Sequence, residues 1–147
     1  MIRLRSCLST FVLGALAAIA VASGGCTGSS TAPSGAAFSQ TDLRVGTGVN
    51  AGTGNTLTVN YTGWLYDASK ADLKGIQFDT SVGKTAFSFA LGTGQVIAGW
   101  EQGVVGMKVG GLRRLVIPPS LAYGANRSGP IPANSTLVFD IELLNAQ

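Results

Sequence analysis

The chain has 147 residues, of which 46% are hydrophobic and 12% charged, with a formal net charge of +3 and no histidine. That length suits one domain with its own core. The lack of histidine weighs against proton shuttling and metal chemistry, and the small charge leaves no basic patch for nucleic acid.

The first residues read as an export signal. Arg3 and Arg5 form a basic start, and Leu8 to Val21 form an apolar stretch. That stretch falls short of the ~20 apolar residues that a membrane-spanning helix needs. Removing residues 1–25 takes away both arginines and leaves 8 basic against 7 acidic residues. The small residues Ala22-Ser23-Gly24-Gly25 lead into Cys26, which resembles a bacterial lipobox with Ser23 in place of the usual Leu. In such a segment the signal is cut before the cysteine and the thiol carries lipid. Cleavage after Ala20-Val21-Ala22 is the rival reading. Lipidation is preferred because Cys26 would otherwise stand alone, with no disulfide partner once Cys7 has gone. The expected product is exported, periplasmic or at the cell surface, and lipid-anchored to a membrane.

Residues 26–40 are rich in Ser, Thr, Gly, Ala and Pro and have no period, as expected of a flexible tether. The folded domain is expected over 41–147. Leu57, Val59, Tyr61, Gly63 and Leu65 alternate with polar neighbours, the period of a half-buried strand. Phe87, Phe89 and Leu91 make a second alternating set, Leu112 to Ile117 a third, and Leu137, Phe139, Ile141 and Leu143 a fourth. Glycine-rich turns at 46–54 and 92–94 separate them. Ile97, Trp100 and Val104 fall at i, i+3 and i+7, one face of a short helix that Gly103 and Gly106 limit. The expected class is α+β, an antiparallel sheet wrapped on one short helix. Arg113 and Arg114 are expected on a solvated strand face, or paired with Glu101 or Glu142.

Five short runs carry the functional signal. They are Tyr61-Thr62-Gly63, Phe78-Asp79-Thr80-Ser81, Val96-Ile97-Ala98-Gly99-Trp100-Glu101, Ala122-Tyr123-Gly124 and Thr136-Leu137-Val138-Phe139-Asp140. Each has a plain structural explanation when taken alone. Trp100, Phe87 and Phe139 suit a core, Tyr61 a strand pair, and Asp79 a turn. Together they gather aromatic rings around a single carboxylate.

In this order the runs resemble the FKBP-type peptidyl-prolyl cis-trans isomerases, from about Leu57 to Leu144. The resemblance implies a five-stranded antiparallel sheet curled around one short helix. It implies that Trp100 floors a proline pocket, that Val96 and Ile97 line it, and that the Ile97 backbone N–H holds a substrate carbonyl. Tyr61, Phe78, Asp79 and Phe139 match the family's pocket residues, and the Tyr123 hydroxyl would bond the substrate. Phe87 and Ile131 match further lining positions. Three segments depart from the smallest members. Residues 66–77 are longer and are expected to form an exposed loop carrying Leu73 and Ile76. Residues 82–86 and 126–130 are each about one residue short, and Lys84 is the nearest candidate for a basic partner of Asp79.

The implied activity is rotation of X-Pro bonds in exported polypeptides, with no cofactor, no metal and no covalent chemistry. The implied inhibitors are macrolides such as tacrolimus and rapamycin. The alternative is a module of the same fold that binds proline-containing segments or acts as a chaperone with little catalysis. A hydrolase is disfavoured, because Ser81 and Ser120 have no base in view. Without a long helical N-terminal arm, the chain is expected to act as a monomer.

Overall fold

The computed structural model describes residues 35–147. The expected signal, Cys26 and most of the expected tether lie outside the described residues. Among the described residues, no helix is long and apolar enough to cross a membrane.

Six strands make one antiparallel sheet. They are β1 (Ser39–Arg44), β2 (Thr56–Tyr66), β3 (Lys74–Thr80), β4 (Phe87–Ala90), β5 (Leu112–Ile117) and β6 (Leu137–Ala146). The order across the sheet is β1-β5-β6-β2-β3, with β4 also on β2. Five strands lie along that path, and β4, which the alternation of Phe87 and Phe89 predicts, is a short sixth beside it. Strands β3 and β4 take successive stretches of one edge of β2. Thr62 to Tyr66 pair with β3, and Thr56 to Val59 pair with β4.

One short helix, α1 (Ala98–Gly103), lies against β5. Ile97 is its N-cap and Val104 its C-cap, so the expected i, i+3, i+7 face spans the helix and both caps. Gly106, with φ +75°, ends the turn that follows. The helix sits close because its small residues allow it. A Cβ on Gly103 would lie 2.6 Å from Leu115 Cδ2, and one on Gly99 2.8 Å from Ile117 Cδ1. Leu57, Val59, Leu115, Ile117, Leu137, Ile141 and Leu143 are fully buried in the core, with Leu115 and Ile117 against the helix. Each such side chain contributes about 1.5–3 kcal/mol on leaving water.

Three expectations are corrected. First, the domain begins before Thr41, because β1 starts at Ser39 and pairs with β5 from Ser39↔Val116. Second, the segment 66–77 is not a continuous loop. Strand β2 runs to Tyr66 and β3 starts at Lys74, with the Asp67 N–H donating to Leu73 O at 3.0 Å to close the short loop between them. Leu73 itself takes a left-handed φ of +63° to turn the chain into β3. Third, the two arginines pair with neither Glu101 nor Glu142.

Arg113 is buried, because it shares the core-facing side of β5 with Leu115 and Ile117. Its guanidinium donates to both Asp42 oxygens at 2.6 and 3.1 Å, and to Gly103 O at 2.8 Å and Val105 O at 3.1 Å. It thus ties β1 to the C-terminal end of α1, and its hydrogen bond holds the Asp42 carboxyl below the usual carboxylate range. Arg114 points to the other face and donates to Asp140 at 2.7 and 3.0 Å. Lys74 Nζ bridges the same carboxylate at 2.7 Å and sits 4.0 Å from the Trp64 ring centre. Burial opposes ionisation of Asp140, but the bonds from Arg114 and Lys74 outweigh it and lower its pKa. This cluster ties β3, β2, β6 and β5 together behind the concave face.

Candidate active site

The concave face opens into a cleft of about 420 Å³, lined by Tyr61, Phe78, Asp79, Phe87, Gly94, Gln95, Val96, Ile97, Trp100, Tyr123 and Phe139. Ten of the eleven positions are on strands β2, β3, β4 and β6 or on the chain from Gly94 into α1. Tyr123 alone comes from the segment after β5.

The floor is Trp100, which is 4% exposed and is presented by the first turn of α1. Tyr61 stands edge-on to it at a 5.2 Å centroid distance, and Phe139 does so at 5.3 Å. Phe87 meets Trp100 at 6.2 Å and Tyr61 at 6.0 Å, both edge-on. Phe78 meets Phe139 at 5.6 Å with the planes at 85°. Such T-shaped pairs set a ring's positive edge against a neighbour's negative face, which locks the orientations. Phe78 and Phe139 meet over Gly63 of β2. A Cβ there would lie 2.6 Å from Phe78 Cζ and 2.7 Å from Phe139 Cε1, so only glycine leaves room.

The polar groups are few and fixed. Tyr61 Oη donates to Asp79 Oδ2 at 2.5 Å, and the Thr80 N–H donates to Asp79 Oδ1 at 2.8 Å. Both carboxylate oxygens are thereby held. Burial first, and then the bond to Asp79, push the Tyr61 phenol up to about 12, so it carries its proton at neutral pH. The Tyr61 backbone is gripped as well. Its N–H donates to Ser81 Oγ at 2.9 Å, while its carbonyl accepts from the Ser81 N–H and Thr80 Oγ1, each at 3.0 Å. Lys84 is not in this network. Its backbone N–H donates to Ser81 O.

Ile97 N-caps α1 with φ −60° and ψ 150°. Its carbonyl accepts from the Trp100 and Glu101 N–H groups, and no described residue accepts from its own N–H. That leaves the N–H for a ligand. Tyr123 is 38% exposed, and no described residue bonds its hydroxyl.

Nine of the ten pocket residues expected from the sequence thus converge on one cleft. Ile131 does not join them. It is 5% exposed within the core, and its N–H and carbonyl exchange bonds with Ser128 at 2.9 and 3.1 Å. Its part is to close the 126–130 loop. The sequence reading missed Gly94 and Gln95, which line the wall ahead of Val96. Their place just before the Val-Ile pair was the only signal available.

An aromatic cleft on the concave side of an antiparallel sheet, with a neutral phenol, one carboxylate and no nucleophile–base pair, defines a binding site that acts by shape and polarity. Comparison with known proteins identifies the class. Residues 48–144 match the sequence profile of the FKBP-type peptidyl-prolyl cis-trans isomerases, and the chain belongs to that family. It is 50% identical over 98 residues to FK506-binding protein 2 of Dictyostelium discoideum, covering 65% of this chain and 68% of that one. It is 47% identical over 107 residues to the 46 kDa FK506-binding nuclear protein of Spodoptera frugiperda, covering 72% of this chain but 24% of the relative. The chain therefore spans about a quarter of the length of that relative. Among solved structures, FkpA from Escherichia coli superposes with a TM-score of 0.62 at 41% identity, over 75% of this chain and 48% of that one.

Proposed function

We propose that this domain is a peptidyl-prolyl cis-trans isomerase acting on proline-containing polypeptides. The observation that carries the proposal is the cleft itself: three aromatic rings edge-on to a buried Trp100, beside an Ile97 N–H that no described residue engages. Rotation about a peptide bond faces a barrier of ~18–20 kcal/mol, because resonance gives the C–N bond double-bond character. No bond need be made or broken, so the site has only to favour the twisted amide over the planar one.

The planar amide is the more charge-separated form. Removing it from water into a ring-lined cleft weakens that resonance relative to the twisted state. Fixed dipoles then act on the displaced carbonyl oxygen. The ring edges of Tyr61, Phe78 and Phe139 carry partial positive charge at that wall. The Ile97 N–H holds a neighbouring substrate carbonyl, and the Tyr123 hydroxyl offers a second bond. Asp79 holds the Tyr61 phenol in place through their hydrogen bond. The same cleft is the expected site for tacrolimus or rapamycin.

We also propose that the domain works outside the cytoplasm as a monomer on a lipid anchor at Cys26. The basic start, the apolar stretch and the small residues before Cys26 support this reading. Its test is metabolic labelling with a fatty acid. Label lost in Cys26→Ser supports the anchor, and a wild-type chain that takes no label refutes it.

For the isomerase, the test is a protease-coupled or exchange-NMR assay on X-Pro peptides, with wild type beside Asp79→Leu. Acceleration that falls in the variant supports the proposal. A folded wild type with no acceleration on several X-Pro peptides refutes it and leaves a binding module.

A further inference from the structure

One wall of the cleft is a loop with little intrinsic order. Between β4 and α1 the chain runs through Gly92, Thr93 and Gly94, all exposed, and both glycines take left-handed φ values of +89° and +72°. Glycine reaches that region without steric cost but also leaves it freely. The loop nevertheless supplies Gly94, Gln95, Val96 and Ile97 to the lining. Something must hold it at the height the cleft requires.

Glu101 does so from the first turn of α1. Its Oε2 accepts from the Gly92 N–H at 2.5 Å, and its Oε1 accepts from the Gly94 N–H at 3.0 Å. One carboxylate thus spans the loop with two charge-assisted bonds, the stronger kind of hydrogen bond. Two further bonds close the base. Gln95 Oε1 accepts from the Ala90 N–H and Thr93 Oγ1 donates to Ala90 O, each at 2.8 Å. Glu101 sits one residue beyond Trp100. The residue that fixes the wall is therefore on the same rigid turn as the floor, so floor and wall keep a constant separation.

We propose that Glu101 is a positioning residue that sets the loop wall of the cleft and thereby its affinity for proline segments, while leaving the twisting step to the rings. This inference rests on the isomerase reading and deepens it. The wall side chains touch a bound segment whether its amide is planar or twisted. Losing their placement weakens both states alike, which raises KM and leaves kcat. Tyr61, Phe78 and Phe139 are on β2, β3 and β6 and do not depend on the loop.

The test uses the full chain and the variants Glu101→Gln, Glu101→Asp and Glu101→Ala. Glutamine keeps one acceptor and so retains one of the two bonds, whereas aspartate has two acceptors but a shorter reach. Steady-state kinetics on one X-Pro peptide, amide exchange at Gly92 and Gly94, and calorimetry with the same peptide are read together. For Glu101→Ala the expected result is a KM higher by about tenfold, a kcat within about twofold, and faster exchange at both glycines. Glu101→Gln should fall between alanine and wild type, with one glycine amide still protected. Released glycine amides with an unchanged KM would overturn the proposal, and so would a kcat that falls while KM holds. Should Glu101→Ala fail to fold, the glutamine and aspartate variants decide by the same criteria. A wild type without turnover would refute the isomerase reading alone. Peptide affinity across the series then decides the clamp, which is overturned if the dissociation constant does not move.

Discussion

Gly63 is the position where the site is most exposed to a single methyl group. Its Cβ, if present, would lie 2.6 and 2.8 Å from Phe78 and 2.7 Å from Phe139. Carbon atoms in contact prefer ~3.5–4.0 Å, so each ring edge must retreat by about 1 Å. Strand β2 cannot take up the shift, because it is hydrogen-bonded to β6 on one edge and to β3 on the other. The Gly63→Ala substitution therefore combines two effects. Overpacking costs about 1–3 kcal/mol, and relief of glycine's backbone entropy in a strand returns about 0.5–1 kcal/mol. The expected loss of stability is about 1–2 kcal/mol. Activity should suffer more, since a displacement of ~1 Å at a positioned group can cost about 100-fold in rate. We expect kcat/KM to fall at least about tenfold. Urea unfolding supplies the first quantity and the protease-coupled assay the second. Thr62→Ala serves as the control. It lies next to Gly63 on the opposite face, where its hydroxyl meets Thr80 at 2.9 Å, away from the rings. If Gly63→Ala keeps kcat/KM within about twofold of wild type, the ring edges are not the groups that favour the twisted amide.

Other expectations follow from the charged and phenolic groups. The Tyr61 phenol is raised to about 12, so the folded state holds its proton more tightly than the unfolded state does. Its contribution to stability is complete below about pH 10 and is lost as pH rises toward about 12. Ultraviolet titration should place the Tyr61 phenolate there, and Asp79→Asn should lower the midpoint only part of the way, because burial is the larger cause. Asp140 behaves in the opposite sense. Its lowered pKa contributes stability above the ordinary aspartate value, and that stability is lost as pH falls through the folded one. Acid unfolding of Asp140→Asn should therefore show a shallower loss than wild type as pH falls below the ordinary aspartate value. Arg113→Met should cost about 2–4 kcal/mol by urea unfolding, since it leaves Gly103 O and Val105 O without their donor and Asp42 without its partner. An Arg113→Met chain as stable as wild type would mean that water replaces the guanidinium at the end of α1.

What could be read from the sequence divides along physical lines. Strands β2, β5 and β6 have one buried face, and their alternation shows it. Strand β1 has six exposed residues and so carries no pattern. It exists because β5 offers it an edge and because Arg113 reaches Asp42, 71 residues away in the chain. Strand β3 escaped notice for a related reason. It is an edge strand in which Ile76 is 74% exposed and Phe78 alone turns an apolar side chain toward the cleft. The position of Arg113 in an apolar run suggested a solvent-facing residue, yet the period of 2 puts it with Leu115 and Ile117 on the core side. Its charge is tolerated there because four bonds satisfy it.

The site was legible for a different reason. Its rings, Phe87 apart, come from five runs whose order is distinctive, although no single run fixes a role. The supporting residues were hidden because their partners are distant or belong to the backbone. Ser81 holds Tyr61 across 20 residues, and Glu101 acts on two N–H groups of a glycine loop. Neither contact leaves a periodic trace. Ile131 shows the converse limit, since a position that matches a family lining residue can face the core instead. A ring announces itself by its identity, whereas the groups that hold a ring or a wall in place become visible only when the chain is folded. Substitution of Glu101, which holds only the loop wall, is therefore where altered affinity should be found with the aromatic cleft intact.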